Sequence, residues 1–290
     1  MPQTLRCREL VLDLGTPRIM GILNVTDDSF YDGGQHLSPD AALARARRMV
    51  EEGADILDIG GQSTRPGHVE IPEAEELARV LPVLRALAAE FPGLPLSIDT
   101  YRPAVAAAAL AAGGHILNDV HGLQGPGGDE LARLAAEAGA AVVVMHHDPA
   151  LRTIAAAADP LPPVLAWLER SLALATAAGL PDDRVVVDPG IGFGKTQAQN
   201  LVLLARLGEL RALGRAILLG VSRKSVIGHA LPELAAPADR LEPTLALTAL
   251  AVRQGVPLHR VHDVLANRRA ARMAAALPPA GADRGCFFNV

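Results

Sequence analysis

The sequence is poor in cysteine: its 290 residues contain only Cys7 and Cys286, near opposite ends of the chain. A disulfide-stabilised scaffold is therefore not expected, and this composition is typical of a reducing compartment. The sequence also lacks an uninterrupted apolar stretch of the ~20 residues that a membrane-spanning helix needs. Its N-terminus has no basic-then-apolar run of the kind that indicates a signal peptide. We therefore expect a cytoplasmic protein that makes no contact with a membrane.

An excess of positive charge is missing as well. The net charge is −5, so the charge balance does not indicate a protein that binds nucleic acid. Of the 27 basic residues only two, Lys195 and Lys224, are lysines, and both follow apolar runs. A GC-rich genome explains the preference for arginine but not the two lysines that remain. Because an ammonium and a guanidinium fork differ as hydrogen-bond donors, we expect at least one of these lysines to have a chemical role.

Hydrophobic residues, in contrast, make up 50% of the chain and follow a repeated rhythm. Short apolar runs alternate with segments of helical spacing, and nearly continuous apolar runs are typical of parallel strands covered on both faces. The predicted strands are 18–25, 54–60, 94–99, 115–120, 141–146, 184–188, 216–220 and 256–261. The predicted helices are one that starts at Ser38-Pro39-Asp40 and stops at Gly53, and then 73–90, 103–112, 129–138, 163–178, 197–213, 241–254 and 263–276.

Eight alternations of strand and helix in one chain predict an α/β fold, the (β/α)8 or TIM barrel. A doubly wound open sheet is the alternative, but the chain length and the count of eight favour the barrel. The segment 5–14 is predicted to form a short N-terminal β-hairpin over the barrel floor. No linker or low-complexity block divides the chain, so we predict one domain over 1–290, with the barrel at about 15–277 and a flexible tail at 278–290.

Polar residues end nearly every predicted strand. They are Asn24, Asp58, Asp99, Asn118, His146, Asp188, Ser222 with Lys224, and Arg260 with His262. Because barrel active sites lie at the carboxyl ends of the strands, closure of the sheet would bring these residues into one ring. Capping of a strand or loop explains any one of them, but a whole ring of such caps would be a coincidence. We therefore predict a binding site at this rim.

The predicted ring contains two chemical groups. Carboxylates and an amide can pair with the N–H-rich edge of a flat heterocycle, and an ammonium beside them can donate to its carbonyl. A separate cationic group suits phosphate. The first group is Asp99, Asn118, Asp188 and Lys224, and the second is Arg65, Arg260 and His262 with Asn24.

Other catalytic chemistries are not indicated. The sequence has no Ser-His-Asp order, and both cysteines are badly placed for a nucleophile. No zinc-type cluster occurs, and the adjacent His146 and His147 would point to opposite faces of a strand. The glycine-rich segment 188–196 does not match a P-loop because Pro189 takes the position of the first glycine. A tight turn and a phosphate-binding loop are both compatible with this segment, and Lys195 within it is compatible with a solvated side chain.

Two long polar loops, 24–34 and 60–67, are typical of functional lids. A short helix is predicted at 225–231, and its N-terminus with Ser225 would suit a carboxylate.

Seven segments resemble, in order and spacing, the signature segments of the dihydropteroate synthases, which are pterin-binding enzymes. They are MGILNVTDDSFYDGG, GGQSTRPG, IDT, LNDV, DPGIGFGK, GVSRKS and RVHDV, and the resemblance covers about residues 10–275. It implies a barrel, a homodimer and a transferase of folate biosynthesis. The implied reaction joins 6-hydroxymethyl-7,8-dihydropterin pyrophosphate to 4-aminobenzoate by a dissociative mechanism, giving 7,8-dihydropteroate and pyrophosphate.

The resemblance also implies roles for individual residues. The pterin pocket would use Asp99, Asn118, Asp188 and Lys224, lined by Met145, Phe193 and Gly220. The pyrophosphate site would use Asn24, Thr64, Arg65, Arg260 and His262, and the aminobenzoate site Phe30, Pro66, Lys224 and Ser225. Mg²⁺ would bind through the substrate pyrophosphate, with Asn24 as its protein ligand. Catalysis would depend on Lys224, Asp99, Arg260 and His262, whereas Asp58 and Lys195 receive no role.

The chain departs from the usual family pattern in three places. In the first loop Asp27 stands for a proline and Tyr31 for a serine, which should make the loop less rigid and more negative. Gln62 stands where glutamate is usual, and His146-His147-Asp148-Pro149 replaces a Met-His-Met-Gln-Gly-x-Pro pattern. Because the core binding residues are intact, we expect altered kinetics or sulfonamide sensitivity rather than lost activity.

Two other functions are compatible with the sequence. A methyltetrahydrofolate:corrinoid methyltransferase shares the pterin pocket, but it would not need the STRPG loop, the SRKS segment or the RVHD segment. A pterin-binding paralogue without synthase activity is the other, and the departures in the first loop are compatible with it.

Overall fold

The computed structural model describes residues 2–25, 39–62, 70–153 and 159–278. An antiparallel hairpin of β1 (Thr4–Cys7) and β2 (Leu10–Asp13) precedes a closed barrel of eight parallel strands. The predicted TIM barrel with an N-terminal hairpin is therefore confirmed. The expected flexible tail lies, from residue 279 onward, outside the described residues.

The barrel strands follow one another around the barrel in chain order. They are β3 (Arg18–Asn24), β4 (Ile56–Gly60), β5 (Leu96–Asp99), β6 (Ile116–Asp119), β7 (Ala141–Met145), β8 (Val185–Asp188), β9 (Ala216–Leu219) and β10 (Leu258–Val261). The helices are α1 (Pro39–Glu51), α2 (Glu73–Glu90), α3 (Pro103–Ala111), α4 (Gly128–Ala138), α5 (Leu161–Ala177), α6 (Gln197–Ala205), α7 (Ser225–Ala230), α8 (Leu241–Arg253) and α9 (Val264–Ala276). In the described part of the chain, no helix is long and apolar enough to cross a membrane.

Side chains alternate between the barrel interior and the surrounding helices, as the two-residue period of a strand requires. On β7, Val143 packs in an interior cluster, whereas Val142 and Val144 pack against the outer helices. Leu5 and Cys7 of the hairpin pack into the interior cluster. Each fully buried Val or Leu stabilises the fold by roughly 1.5–3 kcal/mol. The interior cluster therefore stabilises the amino-terminal half of the barrel.

The strand register brings the polar strand ends to one level. Asp99 pairs with Asn118 between β5 and β6, and Asp188 pairs with Met145 between β7 and β8. Parallel strands that end at the same level deliver their last inward side chains to one rim.

The predicted helix over 197–213 is wrong in its second half. Helix α6 ends at Ala205, and a 3₁₀ helix, Leu207–Leu213, follows it. Gln254 explains the break, because its side chain accepts from the N–H of Gly208 at 3.0 Å and donates to the carbonyl of Leu204 at 2.9 Å. These bonds replace helical hydrogen bonds at a glycine, a residue with low helix propensity.

Candidate active site

Arg260 of β10 joins two carboxylates inside the carboxyl end of the barrel. Its Nε donates to Asp58 Oδ2 at 2.6 Å, and its Nη2 donates to Asp99 Oδ2 at 2.7 Å. Burial alone would lower the pKa of the guanidinium, but the two carboxylates hold the pKa of Arg260 above its ordinary value. The cation is therefore permanent, and β4, β5 and β10 meet through it.

Asp58 lies completely buried beneath this arrangement. It accepts a hydrogen bond from the Ser97 hydroxyl at 2.6 Å and one from Asn118 Nδ2 at 3.2 Å, in addition to that from Arg260. The sequence placed Asp58 in the polar ring without a role. The structure shows that it contacts two of the predicted site residues.

Asp99 is a buried carboxylate with a raised pKa. Its Oδ1 is buried and has no hydrogen-bond partner among the described residues. Burial raises the pKa of Asp99 to about 7, and the negative charges of Asp58 and Glu76 add to the effect against the opposing influence of Arg260. Asp99 therefore exchanges a proton close to neutral pH.

Lys224 and Asp188 form the opposite side of the site. Lys224 Nζ donates to the Ile191 carbonyl at 2.6 Å and lies 4.7 Å from the centroid of the Phe193 ring. Burial lowers the pKa of Lys224 to about 8, although the charge of Asp188 opposes this shift. Burial also raises the pKa of Asp188, whose Oδ1 accepts the N–H of Gly190 at 2.7 Å.

Gly220 shows how closely these groups converge. A Cβ at Gly220 would lie 3.7 Å from Asp188 Oδ2, 3.8 Å from Lys224 Nζ and 3.9 Å from Arg260 Cβ. Any side chain at this position would therefore occupy the space between the three charged residues. Gly220, directly after β9, keeps that space open.

Asn24 ends β3 on the Asp99 side of the rim. A Cβ at Gly60 would lie 3.7 Å from Asn24 Oδ1 and 3.6 Å from Asp99 Cβ, so the three residues are neighbours. Across the described ranges, no cluster of three or more His, Cys, Asp or Glu could hold a metal ion by itself.

His262 follows β10 and is held from two sides. Its Nδ1 lies 3.0 Å from the Ser222 hydroxyl, and its carbonyl accepts from Arg45 Nη2 at 3.0 Å. The next residue, Asp263, accepts two hydrogen bonds from Arg223, at 2.7 and 2.6 Å. Arg223 directly precedes Lys224, so this ion pair fixes the backbones that carry Lys224 and His262.

Lys195 is buried, so of the interpretations that the sequence left open for it, a solvated side chain is excluded. Its Nζ lies 2.7 Å from His146 Nδ1 and donates to the carbonyls of Gly190 and Phe193, both at 2.9 Å. Burial lowers the pKa of Lys195 to about 7. The glycine-rich segment is a tight turn folded around this lysine, and Thr196 then caps α6 through a capping box.

A row of rings along the rim was missed from the sequence. Ring centroids lie 4.6 Å apart for Tyr101 and His121, 5.7 Å for His121 and His147, and 5.5 Å for His147 and Phe193. Each residue follows a different strand, from β5 to β8, and that placement is the signal that could have found the row. His146 instead contacts Lys195 and Trp167, so the two adjacent histidines point to different sides as predicted.

Of the remaining residues that the sequence singled out, some are described by the structure and some are not. Ser225 begins α7, and its hydroxyl accepts from Gln197 Nε2 at 3.1 Å. Gln62 is buried, donates to the Tyr101 hydroxyl at 2.9 Å and accepts from the N–H of Ile71 at 3.1 Å. Those that lie outside the described residues are Asp27, Phe30, Tyr31, Thr64, Arg65 and Pro66.

Known proteins share this arrangement of elements. The chain matches the model of a family described as pterin binding enzyme over residues 20–262. It is 41% identical over 268 residues to the dihydropteroate synthase of Escherichia coli K12, and the match covers 91% of this chain and 93% of that protein. It is 46% identical over 267 residues, 89% of its length, to a probable bifunctional folylpolyglutamate synthase/dihydropteroate synthase of Haloferax volcanii, of which it spans 30%.

The fold is also similar to solved structures. Dihydropteroate synthase of Xanthomonas albilineans with 4-aminobenzoic acid superposes with a TM-score of 0.87 at 42% identity, and the match covers 96% of this chain and 100% of that chain.

Proposed function

Since the chain belongs to the pterin-binding enzyme family and, within it, to the dihydropteroate synthases, transferases of folate biosynthesis, we propose that it condenses 6-hydroxymethyl-7,8-dihydropterin pyrophosphate with 4-aminobenzoate. The products are 7,8-dihydropteroate and pyrophosphate. One observation carries the proposal. The open space at Gly220 is bordered by Asp188, Lys224 and Arg260. Arg260 in turn bridges the carboxylates of Asp58 and Asp99.

The pterin is assigned to the side of the site that contains Asp99, Asn118, Asp188 and Lys224. A pterin edge presents several N–H groups and one carbonyl. Carboxylate and amide oxygens accept from the N–H groups, and the ammonium donates to the carbonyl. Met145, Phe193 and Gly220 would line the ring faces, and the sulfur of Met145 suits contact with an aromatic system. Buried polar groups that lose their partners make such a pocket selective against other heterocycles.

The diphosphate is assigned to Arg260, His262 and Asn24, together with Thr64 and Arg65. Arg260 keeps its charge at every physiological pH because two carboxylates face it. Asn24 also fits a magnesium site, because Mg²⁺ prefers oxygen ligands and takes few from protein when substrate phosphates supply the rest. When bound, Mg²⁺ would neutralise charge on the leaving pyrophosphate.

The 4-aminobenzoate is assigned to the mouth of the site, between Lys224 and Ser225, with Phe30 and Pro66 against its ring. Lys224 would face both substrates from the turn before α7. Its position above the Phe193 ring, with Nζ at 4.7 Å, keeps the ammonium at the junction of the two sites.

The proposed mechanism is dissociative. The bond between the pterin methylene carbon and the pyrophosphate oxygen breaks, and both electrons leave with the pyrophosphate. The positive charge left on the methylene carbon is delocalised into the pterin ring, beside the carboxylates of Asp99 and Asp188. Arg260 and His262 stabilise the negative charge of the leaving pyrophosphate. The arylamine nitrogen then forms a bond to the methylene carbon and loses a proton to solvent. No covalent bond to the protein forms at any step.

We also propose that the chain acts as one domain, in the cytoplasm and as a homodimer. Apolar side chains on the two late helices support the dimer, because Leu250, Leu265 and Met273 are 44%, 37% and 61% exposed. Exposed apolar side chains are typical of surfaces that pack against another chain. Size-exclusion chromatography with light scattering would give twice the chain mass, and a monomer at micromolar concentration would contradict this part.

One assay tests the reaction. The protein is incubated with Mg²⁺, the pterin pyrophosphate and labelled 4-aminobenzoate, and the expected product is labelled dihydropteroate. Pterin binding without product would favour a paralogue that lacks synthase activity. Methyl transfer from methyltetrahydrofolate to a corrinoid, without dihydropteroate formation, would identify the alternative methyltransferase.

A further inference from the structure

Asp58 is a buried acid of the site, and neither substrate has been assigned to it. We propose that Asp58 is a positioning residue that orients Arg260 toward the diphosphate and Asn118 toward the pterin. The inference rests on the proposed function, because it assigns to Asp58 a task in binding the same substrate. Two contacts carry it: those to Asn118 and Arg260.

The first step concerns the guanidinium of Arg260. Its Nε and Nη2 donate to Asp58 and Asp99, and within the described part of the chain no hydrogen bond occupies Nη1. A guanidinium is planar, so two fixed donors also fix the direction of the third nitrogen. Asp58 thereby selects the orientation in which Nη1 remains available to an anion.

The second step concerns the amide of Asn118. An amide can present either its oxygen or its nitrogen to the same partner. An ionised carboxylate only accepts hydrogen bonds, so Asp58 selects the orientation in which Nδ2 points toward it at 3.2 Å. The oxygen of Asn118 then points elsewhere and can accept an N–H of the pterin. One buried carboxylate thus orients a donor for the diphosphate and an acceptor for the ring.

The third step concerns charge. Asp58 lies beside Asp99, and its negative charge contributes to the raised pKa of Asp99. A neutral residue in place of Asp58 would therefore make Asp99 easier to ionise. A residue that serves packing alone would not change the protonation of Asp99, so this coupling provides a diagnostic measurement.

The test compares Asp58→Asn and Asp58→Ala with the matched control Ser97→Ala. Asparagine keeps the shape and an acceptor for Arg260 but removes the charge, whereas alanine removes both contacts to site residues. Ser97→Ala removes the third partner of Asp58 and leaves the other two in place. We expect kcat/KM for the pterin pyrophosphate to fall by about 10- to 100-fold in both Asp58 variants, the usual effect of a lost charge-assisted hydrogen bond. Ser97→Ala should stay within about threefold of the wild type.

Two further measurements separate positioning from folding. The KM for 4-aminobenzoate should change by less than about twofold, because Asp58 contacts no residue assigned only to that substrate. In Asp58→Asn the acidic limb of the pH profile of kcat/KM should move to lower pH, as the neighbouring charge disappears. Equal losses in the Asp58 variants and in Ser97→Ala, or an unchanged profile in Asp58→Asn, would overturn the inference.

The inference and the proposed function fail in different ways. If the wild type makes no dihydropteroate, the proposed function fails, and calorimetry with free pterin and with inorganic pyrophosphate still tests Asp58. Both affinities should fall in Asp58→Ala, because Asn118 and Arg260 lose their shared partner. If the wild type is active and Asp58→Ala binds both ligands normally, only the inference fails.

Discussion

Lys195 Nζ and His146 Nδ1 lie 2.7 Å apart in a buried part of the glycine-rich turn. Burial lowers the pKa of His146 to about 2, so the imidazole is neutral and its unprotonated nitrogen can accept the hydrogen bond. The lysine also donates to two backbone carbonyls of the turn. One side chain thereby satisfies polar groups that would otherwise be buried without partners.

Replacement of this lysine should therefore destabilise the protein. Lys195→Met keeps much of the side-chain volume but leaves His146 Nδ1 and two carbonyls without a donor. We expect the free energy of unfolding to fall by at least about 3 kcal/mol, since each of the three unsatisfied buried polar groups costs about 1–3 kcal/mol. Urea denaturation measures this change. Arg133→Met is the control, because it removes only exposed ion pairs, with Glu137 and Glu130, and should change stability by less than about 0.5 kcal/mol.

The same substitution should also weaken pterin binding. The turn carries Ile191 and Phe193, which contact Lys224 through a hydrogen bond and a ring face. A loosened turn would release the ammonium that is assigned to the pterin carbonyl. If Lys195→Met unfolds at the wild-type urea concentration and binds pterin normally, the lysine has no structural role in the turn.

Asp99 should make the stability of the protein depend on pH below neutrality. The folded state raises its pKa from 3.8 to about 7, so between these values the folded protein holds more of this proton than the unfolded chain. The contribution of Asp99 to the free energy of unfolding is fully present below about pH 4, and it is lost as the pH rises to about 7. The slope is at most about 1.4 kcal/mol per pH unit.

Asp99→Asn removes this dependence while Arg260 keeps its contact with Asp58. The variant should therefore gain stability relative to the wild type as the pH rises from about 4 to 7, and the difference should stay constant above that. Melting temperatures from pH 4.5 to 8 measure the difference. Lys195 acts in another window, because its lowered pKa adds stability as the pH rises from about 7 to 10.5. A constant difference across the acidic range would show that Asp99 is ionised throughout.

Lys224→Ala should abolish dihydropteroate formation and leave the fold intact. The ammonium is assigned to both substrates, and its removal also takes away the cation that lowers the pKa of Asp188 most. Lys224→Arg is the informative comparison, because it keeps the charge but replaces a compact ammonium with a wider planar group. We expect at least about 100-fold loss of kcat/KM in both variants, an effect of about 2.7 kcal/mol. Near-normal turnover in Lys224→Ala with an unchanged circular dichroism spectrum would refute the assignment.

The barrel and most of the polar rim could be predicted because they follow from local rules. Strand periodicity and parallel closure were sufficient to bring Asp99, Asn118, Asp188 and Arg260 together. These residues lie at or next to the ends of strands, where the backbone direction determines where each side chain points. The positions of these residues in the sequence were therefore enough to predict that their side chains meet at one rim.

Features set by distant partners could not be predicted. The break after α6 depends on Gln254, which lies about fifty residues further along the chain. The burial of Lys195 depends on a turn that folds back onto His146, and no local pattern determines that direction. The ring row likewise depends on the spacing of four loops at the rim. In each case the decisive partner is distant in the sequence, so the pattern of one segment does not contain it.

The glycine-rich turn allows a last prediction with a matched control. Gly190 has a φ of 64°, and a Cβ there would lie 2.0 Å from the His146 carbonyl oxygen. Gly214 has a nearly equal φ of 67°, but a Cβ there would meet nothing within 4 Å. Gly214→Ala should therefore cost only the left-handed backbone conformation, about 1–2 kcal/mol.

Gly190→Ala should cost several kcal/mol more, because the backbone of β7 or of the turn must move to relieve the contact. That movement would also shift the N–H that donates to Asp188, so pterin affinity should fall together with stability. Urea denaturation and pterin calorimetry on both variants measure the two effects. Equal destabilisation by the two substitutions would mean that the turn can relax away from His146, and the tight packing described for Lys195 would then be wrong.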